Sequence, residues 1–310
     1  MDYQSFIDAQ VKEIRATVGG GYAINALSGG VDSAVVTALA HKAIGKQLKT
    51  YFVDSALMRE GEPQHVVKMF ADLGIHVELV DARADFLNAI KGLTDPEQKR
   101  AAITETFYKK IFVRLVRESG AKHLFHGTIL TDIEETVAGI KRQHNILSQL
   151  GIDPEKEYGY QVVEPLKTLR KDGVRAVASL LGLPREISHR IPFPGPALAA
   201  RIVGEVTKER LATVRAATAI VEEELCGQDA FQYLAVLLND RATGIRDGKR
   251  EFGQIIVVRC INSRDGREAT ATCVPWPILE RICQRITALP QVCRCLYDLT
   301  PKPPATVEYI

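Results

Sequence analysis

The sequence predicts an α/β protein: a doubly wound, mostly parallel sheet followed by a smaller α+β domain. Three observations carry that reading. Over the first two-thirds of the 310 residues, short apolar runs alternate with amphipathic stretches. The runs are apolar almost throughout, as strands covered on both faces are, without the alternation of a half-exposed sheet. Finally, prolines at alternate positions, Pro192, Pro194 and Pro196, interrupt the pattern before it changes character.

The elements follow in order. Residues 22–27 form a strand-length run ending in glycine-rich sequence, and 50–53, 76–80 and 123–126 are β-branched or aromatic runs of similar length. Between them, 33–42 and 65–73 carry apolar residues at helical spacing, and 96–119 reads as a longer helix. The three prolines remove backbone donors and hold the chain extended, so a linker is expected over 190–197, between domains 1–189 and 198–310. Beyond it the pattern predicts helix 208–225, strands near 231–238 and 254–261, helix 276–287 and a strand near 294–299.

Composition narrows the function classes. With 46% hydrophobic and 25% charged residues, the chain is an ordinary globular protein. A net charge of +2 gives no basic surface for nucleic acid. No apolar run approaches the roughly 18–20 residues that span a bilayer. The start lacks the layout of a secretion signal, so a cytoplasmic protein is expected, with no nucleic-acid or membrane partner. All six cysteines fall in the last third and are expected as reduced thiols. Cys293 and Cys295, one residue apart, fit alternate positions on a strand better than a metal site.

The strongest local signal is Ser28-Gly29-Gly30-Val31-Asp32-Ser33, which follows a strand and opens a helix. Glycines let backbone approach a phosphate, and amides at a helix start point at it with the positive dipole end. The loop has no Gly-Lys-Ser/Thr ending, so no lysine of its own holds terminal phosphates. That favours a grip on leaving pyrophosphate over transfer of a γ-phosphoryl group. Asp32 would repel phosphate unless a cation such as Mg²⁺ lay between them.

The hexapeptide resembles the PP-loop of the ATP pyrophosphatases, an adenine nucleotide α-hydrolase-like fold whose members split ATP between the α- and β-phosphates. Within that superfamily, further segments resemble the GMP synthetase family, in its two-subunit, archaeal-like form. They are 53–59 after the second strand, His126-Gly127-Thr128 after the fourth, Asp132-Ile133-Glu134-Glu135, 140–145, 190–196 and the tail from Asp298 to Glu308. The proline-rich segment and the tail are the parts that other PP-loop families lack. NAD synthetase is the alternative among amidating ligases, and these two segments discriminate against it. A non-catalytic ATP-binding assembly protein is the alternative outside enzymes, and would bind ATP without releasing pyrophosphate.

The resemblance implies that XMP, ATP and ammonia give GMP, AMP and pyrophosphate through an adenyl-XMP intermediate. It implies ATP contacts at Ser28, Gly29, Gly30, Val31, Asp32, Ser33, Val53, Gly127 and Thr128. It implies catalytic roles for Asp32, Asp132, Glu135 and Lys141, with Mg²⁺ on Asp32 and Asp132; His144 reads as a structural histidine ahead of a proton-transfer group. XMP contacts are implied at Arg59, Gln254, Lys302 and Glu308, and a homodimer through the C-terminal domain. The 141–145 stretch reads Lys-Arg-Gln-His-Asn where many relatives have Lys-Ser-His-His-Asn. No cysteine precedes Cys226, so no thiol nucleophile for glutamine hydrolysis is expected before the PP-loop. The chain is therefore expected to use free ammonia or to receive it from a separate glutamine amidotransferase subunit, and the resemblance to the two-subunit form implies the latter.

Overall fold

A computed structural model describes residues 2–137, 159–188, 190–264 and 266–310, the side chains of 135–137 excepted. The chain forms two compact units. The first holds Met1–Asp54, Pro63–Ala82 and Glu105–Arg190; the second holds Ser55–Glu62, Arg83–Thr104 and Ile191–Ile310.

The first unit is built on five parallel strands: β1 Ala23–Leu27, β2 Leu48–Asp54, β3 Val77–Asp81, β4 His123–Phe125 and β5 Gln161–Val163. Their order is β3-β2-β1-β4-β5. Helix α1 (Tyr3–Val18), for which the sequence pattern predicts no element, buries Ile7, Val11, Ile14 and Val18, one stripe at helical spacing. Helix α2 (Val31–Ile44) is buried over most of its circumference, from Val35 and Val36 to Leu39 and Ala40. Each large apolar side chain so buried stabilises the unit by about 1.5–3 kcal/mol.

The helix expected over 96–119 contains a π-helical segment, Thr106–Phe112, between Pro96–Glu105 and Val113–Ser119. In a π turn, residues five apart share a face. Phe107 and Phe112 accordingly stack, with centroids 5.9 Å apart and planes at 15°.

The second unit centres on an antiparallel hairpin, β6 Gln232–Arg246 and β7 Lys249–Asn262. The sequence pattern predicts strands only on its inner halves. The link, Asp247-Gly248, has φ of 50° and 74°, the two positive values that a two-residue hairpin turn requires. Strand β7 also pairs with β8 (Thr270–Ala271) and, in parallel, with β9 (Val292–Tyr297). Cys293 and Cys295 occupy alternate positions of β9, as expected. Two helices of this unit, Lys208–Glu224 and Trp276–Thr287, lie close to the predicted ranges.

Two segments from the first half of the sequence join this second unit through hydrogen bonds. Arg215 donates to the carbonyls of Met58 and Ala56. Lys99 Nζ donates to the carbonyls of Ala199, Ile202 and Gly204 at 3.2, 2.6 and 3.1 Å. Among the described residues, no helix is long and apolar enough to cross a membrane.

Candidate active site

Strand order places the loop. After β1 the chain goes to β2 on one side, and after β4 to β5 on the other. Neighbouring strands whose connections depart in opposite directions leave a crevice beyond their carboxyl ends. Residues 28–33 follow β1 and 126–128 follow β4, so both lie at that point.

The loop is held by its own hydroxyls. Ser33 Oγ accepts from Ser28 N at 3.2 Å and donates to the Gly30 carbonyl at 3.0 Å, and lies 3.0 Å from Ser28 Oγ. Gly29 has φ 77°, a left-handed conformation that strains any side chain. Gly30 is the N-cap of α2 and offers no side-chain cap. The first helical bond runs from Ala34 N to Gly30 O, so the amides of Val31, Asp32 and Ser33 have no acceptor within the helix. These amides and the helix dipole make an anion cradle.

The buried support for the loop is a pair of residues that the sequence analysis does not single out. Asn25, 1% exposed in the middle of β1, donates to Thr37 Oγ1 at 2.5 Å. Thr37 in turn donates to the Ser33 carbonyl at 2.7 Å. An amide inside an otherwise apolar strand is the available signal, because a buried polar group needs a partner.

The loop lacks a lysine of its own, but the fold supplies one. Lys171 Nζ lies 2.7 and 2.9 Å from the two Asp32 carboxylate oxygens. It opens the helix Lys171–Leu180, which follows β5. A lysine there opposes the helix dipole, an unfavourable placement unless an anion faces it. That mismatch is the legible hint. Arg190, which the sequence marks only as the start of the linker, donates from Nη1 to the Gly29 carbonyl at 2.7 Å.

The other predicted positions of this unit fall as follows. An added Cβ on Gly127 would sit 3.4 Å from Asp32 Cβ and Ser33 N, so the chain after β4 passes close over the loop. Thr128 is 1% exposed; its hydroxyl donates to Glu164 at 2.5 Å and meets His126 Nδ1 at 2.8 Å. Val53 is the penultimate residue of β2 and 8% exposed. Asp132 Oδ2 accepts from Ile129 N at 3.0 Å, the reach-back of a helix-capping carboxylate, at the start of Leu130–Val137. Glu134 pairs with Arg170 at 2.5 Å. Lys141 and His144 lie outside the described residues, as does the side chain of Glu135.

In the second unit, the residues expected to hold a nucleotide do not all converge. Glu308 is gripped by Arg201, whose Nε and Nη2 each lie 3.3 Å from a carboxylate oxygen, and by Gln232 Nε2 at 2.5 Å. Lys302 Nζ donates to the Gly266 carbonyl at 2.6 Å, and its backbone exchanges two bonds with Ala269. The tail is fastened on both sides of Lys302 by Arg259, which donates to Asp298 at 2.7 Å and to the carbonyls of Thr300 and Thr306 at 2.8 and 3.0 Å. Burial pushes the Asp298 carboxyl up, but hydrogen bonds from Thr300 and the Arg259 charge outweigh it and hold the group below the usual carboxylate range.

Arg59 is already occupied. Its Nε pairs with Glu222 at 2.5 Å, its Nη1 lies 3.7 Å from Glu62, and the guanidinium covers the Phe193 ring at 3.9 Å. Gln254 does not join the Glu308 cluster. It pairs with Arg241, whereas Gln232 pairs with Ile261, roughly 23 Å further along β7.

Among the described residues, no cluster of three or more His, Cys, Asp or Glu could hold a metal by itself. Mg²⁺ takes only one or two carboxylates and completes its shell with phosphate and water. A carboxylate such as Asp32, beside a phosphate cradle, is a donor of that kind.

Comparison with known proteins agrees with this architecture. A family model described as GMP synthase C terminal domain matches residues 219–309. One described as Asparagine synthase matches residues 19–129, which include the loop. A glutamine-hydrolyzing GMP synthase subunit from Archaeoglobus fulgidus is 50% identical over 310 residues, covering 100% of both chains. The corresponding GMP synthase subunit from Pyrococcus abyssi is 47% identical over 313 residues, again covering 100% of both.

Proposed function

The chain belongs to the family of glutamine-hydrolyzing GMP synthases, as their synthetase subunit, and on that premise we propose that it makes GMP from XMP, ATP and ammonia. It is a ligase that uses ATP, and its family name implies a partner subunit that hydrolyses glutamine. The observation that carries the reading is the uncapped helix start at Gly30, with Asp32 and Lys171 beside it.

In this reading the amides of residues 29–33 and the Lys171 ammonium bind the two outer phosphates of ATP. Fixed donors aimed at oxygens that gain charge as the α–β bond breaks lower the barrier without reorganisation. Mg²⁺, held by Asp32 and Asp132, would add positive charge against the same phosphates. Val53 and the backbone of Gly127 and Thr128 line the nucleotide; the Thr128 hydroxyl, given to Glu164, keeps that turn in place. The XMP C2 oxygen attacks the α-phosphorus, pyrophosphate departs, and ammonia then displaces AMP at C2. Lys141 and Glu135 are assigned to the adenylation step by resemblance.

Glu308 accepts N–H bonds from the purine, and Lys302 brings a charge to the same nucleotide. Arg59 holds the XMP phosphate in this reading, through guanidinium N–H groups other than the Nε that Glu222 occupies or by exchanging Glu222 for the phosphate. Gln254 has no part in the Glu308 cluster. A cytoplasmic setting and a homodimer through the second unit belong to the same proposal. Exposed Ile245, Phe252 and Trp276, at 76%, 64% and 70%, support an interface there. Light scattering at assay concentration is expected to report twice the chain mass; a monomer alone would remove the dimer from the proposal.

The test of function is direct. Purified protein with ATP, Mg²⁺, XMP and ammonium is expected to form AMP and GMP in equal amounts, and no AMP when XMP is omitted. Failure to form AMP with all four present sinks the proposal.

A further inference from the structure

We infer that Arg201 is a positioning residue for the nucleotide substrate: without touching XMP, it fixes the Glu308 carboxylate in the orientation that meets the purine. The inference rests on the assignment of Glu308 to XMP made above.

The Glu308 side chain is held by two partners. Arg201 forks its two carboxylate oxygens, Nε to Oε2 and Nη2 to Oε1, both at 3.3 Å. Gln232 donates to Oε1 at 2.5 Å from the end of β6. Two fixed partners on one carboxylate set its plane, so the remaining lone pairs point in a defined direction. The Glu308 side chain keeps 20% exposure and lines a cleft with Thr300, Pro304 and Ala305, so one face stays open to a ligand.

Arg201 is itself rigidly held. It is fully buried, at 0% exposure, and its guanidinium lies 4.8 Å from the Phe193 ring centroid. Its backbone segment is clamped on both sides, because Lys99 binds the carbonyls of Ala199 and Ile202. A buried cation is costly to keep, and Arg201 Nη1 is left buried without a hydrogen bond. A charge retained under that penalty, and aimed at the Glu308 carboxylate, fits a site that must be preorganised.

Three variants test this by steady-state kinetics in both substrates, with circular dichroism to verify folding. Glu308→Gln is expected to raise KM for XMP at least about tenfold. Arg201→Lys keeps the charge but loses the fork; it is expected to raise KM for XMP by about tenfold, with KM for ATP unchanged and kcat within about threefold. Because Arg201→Lys risks unfolding, the double variant Arg201→Met/Glu308→Gln removes the pair together, which buried ion pairs tolerate better. Its KM for XMP should equal that of Glu308→Gln alone. A folded Arg201→Lys with wild-type KM for XMP, or one that raises both KM values equally, overturns the inference while leaving Glu308 in place. So does a further rise of more than about threefold in the double variant, since Arg201 would then act independently of Glu308. If Glu308→Gln itself leaves KM for XMP unchanged, the assignment of Glu308 falls first and the inference with it.

Discussion

Lys171→Met is expected to slow XMP-dependent AMP formation by about 100- to 1000-fold, the usual loss when one preorganised donor to a developing charge is removed. The hexapeptide has amides and hydroxyls but no cation of its own. Lys171 is a positive side chain that the structure sets against it, 2.7 Å from Asp32. In Lys171→Met that charge disappears while the loop's own bonds, from Ser28, Ser33 and Gly30, remain. The effect should therefore be kinetic. The Asp32–Lys171 pair is partly exposed, at 28% and 47%, and such pairs stabilise a fold by no more than about 1 kcal/mol. The melting temperature should move by only a few degrees at most. Asp32→Asn should cost a similar factor, and the double variant should fall short of the product, because both residues act on one phosphate group. A loss below about fivefold in Lys171→Met, with folding intact, would remove the ammonium from the phosphates.

The second large effect is on stability. Lys99→Met should destabilise the protein by at least about 3 kcal/mol in urea titrations at pH 7, because three buried carbonyls lose their donor at about 1–3 kcal/mol each. Lys99 is 2% exposed, and its ammonium meets Ala199, Ile202 and Gly204. Burial, with the nearby Arg210 charge adding to it, lowers the Lys99 pKa from 10.5 to about 8. The group is thus still charged at pH 7. Between pH 8 and 10.5 the unfolded chain carries this proton and the folded chain does not. Stability from this group therefore rises across that window as pH increases, by about 1.4 kcal/mol per unit and up to about 3 kcal/mol. The gap between wild type and Lys99→Met should widen accordingly from pH 8 to 10.5. A gap that stays constant or narrows would mean that Lys99 is not depressed, the three carbonyl bonds having offset its burial.

Legibility of the site followed distance along the chain. The loop 28–33 could be read because its demands are local: a left-handed φ at Gly29, an uncapped helix start at Gly30, and hydroxyls that bond within six residues. The parallel sheet could be read because continuous apolar runs between helical patterns permit few other arrangements. Asp132 shows that one residue type can serve two roles at one position. A carboxylate at the third position of a helix serves as a cap as readily as it serves a metal, and here it reaches back to Ile129 N. Gln254 shows a limit on a strand, since being polar before an apolar run says nothing about which end of the sheet a ligand occupies.

By itself the sequence determined a phosphate-gripping turn on an α/β sheet and a tail with its own specific pattern. Only the tertiary structure decided which charges face one another. Lys171 meets Asp32 across 139 residues, Arg190 meets Gly29 across 161, and Arg201 meets Glu308 across 107. The physical reason is that backbone geometry and helix termini are set by neighbours within a few positions, whereas ion-pair partners are set by chain crossings. A guanidinium or ammonium carries no mark of the carboxylate it will find until packing brings the two together.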